Sequence, residues 1–307
     1  MNKKEEVVQL LEYMKSVMPS QYKVYQLGGI YYTKVGEFDL AIKNLKQALI
    51  NTNDYYFIYR DLSRAYLLNK KIDELYAFLK SELKLEARKV AALQSLGDLY
   101  FTDKKFQKSR ESYQQALSIQ NDWIYAYEGM IKLSVADKDY DQAIQWFKKT
   151  IEISDNKLSI QIELLKFYHS LSKFSEVDKL YKELIAEYPS NMMLVNNYIS
   201  FILENMNDAE HIKQADMLID KLKNNPNSSV KDTVAWFYVN KKQYEKAVLI
   251  YADIINDTDS AHLNYHYGYA LFFSGDKKKA KQYLEAAFKS KTAFKGKDGI
   301  QKLLNQI

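Results

Sequence analysis

Apolar residues in this chain recur at helical spacing, in pairs of short amphipathic stretches separated by tight turns. In the segment from Tyr25 to Leu49, Tyr25, Gly29 and Tyr32 share one face of a first helix. Gly36 stands where a helix C-terminus is expected. Phe38, Ala41, Ile42, Leu45, Ala48 and Leu49 then form the stripe of a second helix. Glycine inside a helix costs about 1 kcal/mol relative to alanine, so Gly29 predicts close approach of a neighbouring helix. The segment therefore reads as an antiparallel helical hairpin with an apolar face it cannot bury alone. No stretch alternates with period two, so no sheet is predicted.

The pattern returns every 34 residues. The small-residue slot of the first helix is filled in turn by Gly29, Ser63, Gly97, Ile131, Leu165 and Ile199. The aromatic position one turn later reads Tyr32, Tyr66, Tyr100, Ser134, Tyr168 and Ile202. In the second helix a small or medium residue (Ala41, Leu75, Ser109, Ala143, Val177) precedes a large one (Leu45, Leu79, Tyr113, Phe147, Tyr181). Later repeats slip slightly: extra residues fall around Asn207–His211, a seventh unit centres on Ala235, Ala247 and Tyr251, and an eighth on Gly268, Ala280 and Leu284. Repetition at this period predicts a solenoid, in which each hairpin packs only on its neighbours. The register predicts an all-α fold of about eight helix-turn-helix repeats over residues 22–290. A half-repeat helix leads it at 3–19, carrying Val7, Leu11 and Met14, and a capping helix closes it at 292–307, carrying Ile300, Leu303 and Leu304. No Gly-, Pro- or Ser-rich linker interrupts residues 1–307, which predicts a single domain.

The period, the Gly/Ala–Tyr pair of the first helix and the aromatic–Ala–aromatic series of the second resemble the tetratricopeptide repeat family. The resemblance extends from about Asn2 to Phe288 and departs from the family pattern where Ile131, Leu165 and Ile199 replace a small residue. It implies a right-handed superhelix whose concave groove is lined by the first helices and binds a peptide or protein segment. Members that bind chaperone tails hold a terminal carboxylate with Lys, Asn and Arg in fixed slots, and that set is absent from every consecutive triple of repeats here.

Composition narrows the chemistry. The absence of cysteine excludes disulfides, thiolate metal sites and a cysteine nucleophile. No apolar run is long enough to span a membrane, and the first twenty residues contain no apolar stretch of signal-peptide length. The cytoplasm is the default compartment, the periplasm staying open for a chain already trimmed of a signal. The net charge of +5 is concentrated at one end: Gly275–Ile307 holds nine Lys against three Asp or Glu. Lys277, Lys278, Lys279 and Lys281 offer contacts to phosphates, so a nucleic-acid-binding helical repeat using this end is the alternative function. The repeats show no regular polar recognition positions of the kind RNA-reading repeats use, and a solvated terminal face is the simpler reading.

No catalytic constellation emerges. His262 and His266 stand at i, i+4, but Leu263, Asn264 and Tyr265 lie between them, with no glutamate beside the first histidine as a zinc-protease motif requires. Neither a metal, a cofactor nor an enzymatic activity is expected from the sequence. The expected function is a non-catalytic scaffold for a protein or peptide partner. Projection of the first helices places Trp236, Tyr265, Tyr269 and Phe272 together on the inner wall, with Asp232 and His262 beside them. Aromatics there suit peptide recognition, since they offer large contact area and, in Trp and Tyr, a polar handle; the competing reading is that they pack against one another and close the inner wall. Arg60 and Arg64 on the inner face of an early repeat form a second candidate contact.

Overall fold

The computed structural model describes residues 3–206, 208–256 and 260–307; Asn207, within the expected insertion of the sixth repeat, lies outside them. Among the described residues there are eighteen α-helices and no strand. A leading helix, α1 (Lys3–Val17), precedes eight hairpins. These are α2 (Tyr22–Lys34) with α3 (Phe38–Ala48), α4 (Tyr55–Leu68) with α5 (Ile72–Glu82), α6 (Glu86–Thr102) with α7 (Phe106–Ile119), and α8 (Ile124–Ala136) with α9 (Tyr140–Ile153). They continue as α10 (Lys157–Ser170) with α11 (Phe174–Glu187), α12 (Met192–Asn205) with α13 (Ala209–Ile219), α14 (Ser228–Asn240) with α15 (Tyr244–Ile254), and α16 (Ala261–Ser274) with α17 (Lys277–Lys289). The closing helix, α18, covers only Ile300–Leu304, and residues 290–296 before it form no regular element.

The chain forms two compact units, one ending at Leu164 and the other beginning at Leu165. In the first, the opening helices of successive hairpins lie side by side, α2 on α4, α4 on α6 and α6 on α8. In the second, α12 lies on α14 and α14 on α16. Each unit thus presents a first-helix face.

Within the α2–α3, α6–α7 and α16–α17 hairpins the crossing depends on a large side chain from the second helix, sixteen residues downstream, seated against a glycine of the first, whereas Ile131, Leu165 and Ile199 hold that slot in α8, α10 and α12. Tyr113 is fully buried. A β-carbon added at Gly97 would stand 2.4 Å from its ring, and one added at Gly129 of α8 also 2.4 Å. Leu45 fills the same place over Gly29, and Leu284 over Gly268. The small residues of the second helices, Ala41, Ala143, Ala247 and Ala280 among them, are fully buried. Ser109 takes that position in α7 and satisfies its buried hydroxyl by donating to the Gly97 carbonyl at 2.8 Å.

The turn inside the hairpin repeats at the same interval. Gly36, Lys70, Lys104, Lys138 and Ser172, each 34 residues after the last, have left-handed backbone, as do Lys242 and Gly275. At Gly36, Lys70, Lys104 and Lys138 the next amide donates back to the carbonyl of the aromatic-column residue: Glu37 to Tyr32, Lys71 to Tyr66, Lys105 to Tyr100, and Asp139 to Ser134. This six-to-one bond closes a Schellman cap. Lysine carries a cost in the left-handed region of about 1–2 kcal/mol that glycine avoids.

Two stability outcomes follow. Lys104→Gly should raise unfolding free energy by about 0.5–1 kcal/mol, the relief of strain being partly offset by the looser unfolded chain. Gly97→Val should lower it by about 1–3 kcal/mol by overpacking against Tyr113. Denaturant melts of both variants check the signs, and a Lys104→Gly protein less stable than the parent would contradict the strain argument.

Candidate functional site

In the first unit the first-helix face opens into a cleft of about 410 Å³. Tyr55, Tyr56 and Phe57 of α4 form one wall, Ala87 and Val90 of α6 the floor, and Trp123 and Tyr125 at the start of α8 the other wall. The aromatic density comes from the opening turns of α4 and α8, where three and two rings stand close together in sequence. Tyr56 stacks on Tyr125 with centroids 4.0 Å apart, and Trp123 meets Tyr125 edge-on at 5.2 Å. Phe57 turns its edge to Tyr125 at 5.8 Å and is itself 37% exposed. The Arg60 guanidinium lies 5.2 Å from the Phe57 ring centroid, is exposed, and makes no ion pair among the described residues. Arg64 is exposed one turn further along α4. The indole nitrogen of Trp123 is buried without a hydrogen-bond partner among the described residues. Burial raises the Tyr56 phenol well above its ordinary value, aided by Asp98 and Glu128. Burial likewise raises Glu128 and Asp98, with Lys132 pulling both the other way; Asp98 also accepts from the Tyr113 hydroxyl at 2.8 Å.

In the second unit the residues singled out from the sequence do meet. Trp236 lies 5.5 Å from Tyr269 and 6.1 Å from Tyr265, and Tyr265 lies 6.0 Å from Tyr269. Phe272 stands apart, in ring contact with Phe273 at 5.0 Å and under the Lys277 amino group. The cluster is covered by the segment following α17. Phe294 packs on Tyr265 at 5.6 Å and on His262 at 6.0 Å, and Tyr265 retains 8% exposure. Gly296 has left-handed backbone, and a β-carbon on it would fall 2.5 Å from the Tyr265 ring, so only glycine lets the segment lie this close. The Lys295 amino group donates to the Glu204 carbonyl and anchors the segment on α12.

Beneath Phe294 sits a polar group. Asp232 Oδ1 lies 2.8 Å from His266 Nδ1, and Asp232 Oδ2 lies 3.8 Å from His262 Nδ1. The two imidazoles are 3.9 Å apart, and His266 stacks flat on Trp236 at 3.8 Å. His266, buried, reads in the sequence only as half of a histidine pair and not as part of this group; its distance of 34 residues from Asp232 is one repeat length, the interval at which side chains on neighbouring first helices meet. Burial pulls the His262 imidazole down to about 4, reinforced by His266 and opposed by Asp232. Burial pushes the Asp232 carboxyl up, but His266 and His262 outweigh it and hold it below the usual carboxylate range.

The basic end is partly engaged within the chain. Lys277, Lys295 and Lys297 donate to the carbonyls of Gln306, Glu204 and Ser290, while Lys279 and Lys281 pair with Asp276 and Glu285. Among the described residues no helix is long and apolar enough to cross a membrane.

The His262 shift has a sign that can be tested. Folded His262 takes a proton only near pH 4, whereas the unfolded chain takes it near 6.5. Its contribution is therefore fully present above about pH 6.5 and is lost as pH falls toward 4. The melting temperature should decline across that window, and His262→Gln should flatten the decline while leaving the midpoint at pH 8 nearly unchanged. Parallel pH profiles for the two proteins would contradict the assignment.

Comparison with known proteins bears on the repeats. Residues 90–122, spanning most of α6 and α7, and residues 261–293, spanning α16 and α17, match a family model described as tetratricopeptide repeat. No curated protein matches the chain. Among solved structures it is similar to a tetratricopeptide repeat protein from Parabacteroides merdae, at 16% identity and TM-score 0.39, covering 93% of this chain and 98% of that one. It is also similar to a chain of the APC/C hetero-tetramer Cut9–Hcn1, at 13% identity and TM-score 0.44, covering 100% of this chain and 60% of that one. A human IFIT1 dimer with m7Gppp-AAAA aligns at 15% identity and TM-score 0.46, covering 92% of this chain and 67% of that one. The α6–α7 and α16–α17 hairpins are tetratricopeptide repeats, and the chain is an all-α helical-repeat protein that carries them.

Proposed function

We propose that the protein is a non-catalytic scaffold that binds a segment of a partner protein along the first-helix groove, with the α4–α6–α8 cleft as its main contact. The observation that carries this reading is the solvent-open ring wall of Tyr56, Phe57, Trp123 and Tyr125 beside an unpaired Arg60. Rigid aromatics give large contact area at low entropic cost, and a pocketed aromatic or aliphatic anchor is the usual centre of a protein interface. Arg60 adds a planar donor suited to a carboxylate. The occupant that fits is an extended segment carrying a bulky apolar side chain for the cleft and an acidic group for Arg60, with Arg64 next along the same face.

The Trp236–Tyr265–Tyr269 wall, with Asp232, His262 and Phe272, is a second contact region. Residues 290–296 would have to move off it before Tyr265 could meet a partner. The backbone-carbonyl contacts of Lys277, Lys295 and Lys297 take those three cations out of the basic end, which favours the protein-segment reading over nucleic acid.

A displayed peptide library panned against the full chain tests the reading. It should enrich an aromatic or large aliphatic residue close to an acidic one. Tyr56→Ala with Tyr125→Ala should weaken the selected peptide at least tenfold, about 1.4 kcal/mol, without loss of helicity. Arg60→Gln should weaken it less, and more at low salt than at high salt. Enrichment without such residues, or affinity unchanged by the double substitution, sinks the cleft. Preferential binding of single-stranded RNA, lost steeply with added salt, would support the nucleic-acid alternative instead.

A further inference from the structure

We infer that Asp232, His262 and His266 form a binding site for a divalent transition cation of the zinc class. One potential ligand atom from each lies within 4.8 Å of the others. Two imidazoles and a carboxylate are the donor set that Zn²⁺ accepts as three protein ligands. Donors arranged tetrahedrally about 2.1 Å from zinc stand about 3.4 Å apart, so closure requires the widest pair to draw in by up to about 1.4 Å.

The scaffold restricts the alternatives open to these three side chains. His262 and His266 are one turn apart on α16 and project the same way, while Asp232 reaches them from α14. The flat stack of His266 on Trp236 fixes one ring, and Phe294 closes over the other. The Tyr251 hydroxyl lies 3.5 Å from the Asp232 carbonyl, behind the carboxylate-bearing residue. Among the described residues, the titratable side chains facing the group are the three themselves and the Tyr251 and Tyr265 phenols, within a shell completed by Trp236 and Phe294. This is the combination of oriented ligands and apolar surroundings that tunes protein metal sites. A cation here replaces the hydrogen bond now joining His266 to Asp232, and a fourth position falls to water. Among the described residues this is the one grouping of such side chains close enough to hold a metal ion.

The site also gives the covering segment a second role. Phe294 touches His262 directly, so cation binding fixes the ring on which residues 290–296 rest. Zinc should therefore slow hydrogen exchange in that segment as well as in α16.

The test is calorimetric titration of the full chain, freed of metal with a chelator, with Zn²⁺ alone. One ion per chain should bind with micromolar or tighter affinity and raise the melting midpoint. Co²⁺ should produce the visible absorption of a tetrahedral or five-coordinate site, and Mg²⁺ should give no heat. His262→Gln, at a position only partly buried, should keep the helical spectrum and lose at least tenfold in zinc affinity. Asp232→Asn should lose affinity similarly, and His169→Gln, at an exposed histidine elsewhere, should bind as the parent does. Absence of saturable binding overturns the site, as does binding unaffected by His262→Gln or matched by Mg²⁺. These readouts are independent of peptide capture at Tyr56 and Tyr125, so either result can fail while the other stands.

Discussion

The seating of a large second-helix residue against a small first-helix residue is the contact on which the remaining architecture depends. At Gly97 it brings α6 and α7 close enough for Tyr113 to lie between Gly97 and Gly129, touching the next hairpin as well as its own. One side chain thus closes a hairpin and joins it to its neighbour. The apolar term is non-directional and would tolerate many crossings, but a missing side chain on one helix and a ring on the other admit few. The same sixteen-residue offset at Gly29 with Leu45 and at Gly268 with Leu284 shows one geometric solution used with different volumes.

Burying so many tyrosines in this way creates a demand for acceptors. The Tyr113 hydroxyl donates to Asp98, Tyr59 to Glu82 at 2.6 Å, Tyr76 to Asp103 at 2.8 Å, and Tyr198 to Asp178 at 2.6 Å. The Tyr59 partner is itself held by Arg88 at 2.7 Å. Leaving a buried hydroxyl unpaired costs about 1–3 kcal/mol, so each acid is a structural counterpart of a ring. These four carboxylates, which look available in the sequence, are consumed here. Those that stay near an open face without such a ring, rather than all the acids of the inner wall, are the ones available for partners.

Hairpin number, helix order and the small-to-large register were legible in the sequence because they are local. Gly29 to Leu45 is one hairpin, and the 34-residue interval carries it forward without long-range information. The expected cap at 292–307 contracts to Ile300–Leu304 because residues 290–296 are used as a cover, with Phe294 and Lys295 making contacts that helix periodicity does not encode. The aromatic wall of Trp236, Tyr265 and Tyr269 was legible as a convergence of side chains. Its cover was not, since the contact between Lys295 and Glu204 joins residues 91 positions apart. His266 was set aside for a related reason: taken alone, the i, i+4 histidine pair lacked a third ligand, and Asp232 becomes one only when α14 and α16 lie side by side. The cleft around Tyr56 and Trp123 was not singled out in the sequence: Arg60 and Arg64 of α4 were placed on the inner face, but the rings beside them meet only when α4 and α8 are brought together, and Trp123 sits just before α8 begins.

Exposure then separates the two aromatic groups physically, each within its own unit. Around Tyr56 the rings satisfy one another at stacked and edge-on distances, yet leave a cleft and an unpaired cation in contact with solvent. Around Tyr265 the same kind of ring cluster receives a phenylalanine from the chain itself, and its polar edge is turned inward onto two histidines and an aspartate. An apolar wall open to water carries a standing free-energy cost that a partner's side chain can relieve. In a covered wall that relief has already been supplied intramolecularly, so any partner must first repay it. What remains unrelieved in the second case is electrostatic: a carboxylate and two imidazoles, one of them held largely neutral, enclosed by rings. Such a group gains little from another apolar side chain and much from a compact positive charge. Similar aromatic composition on equivalent helices therefore leads to different chemistry, decided by whether the chain's own C-terminal segment covers the rings.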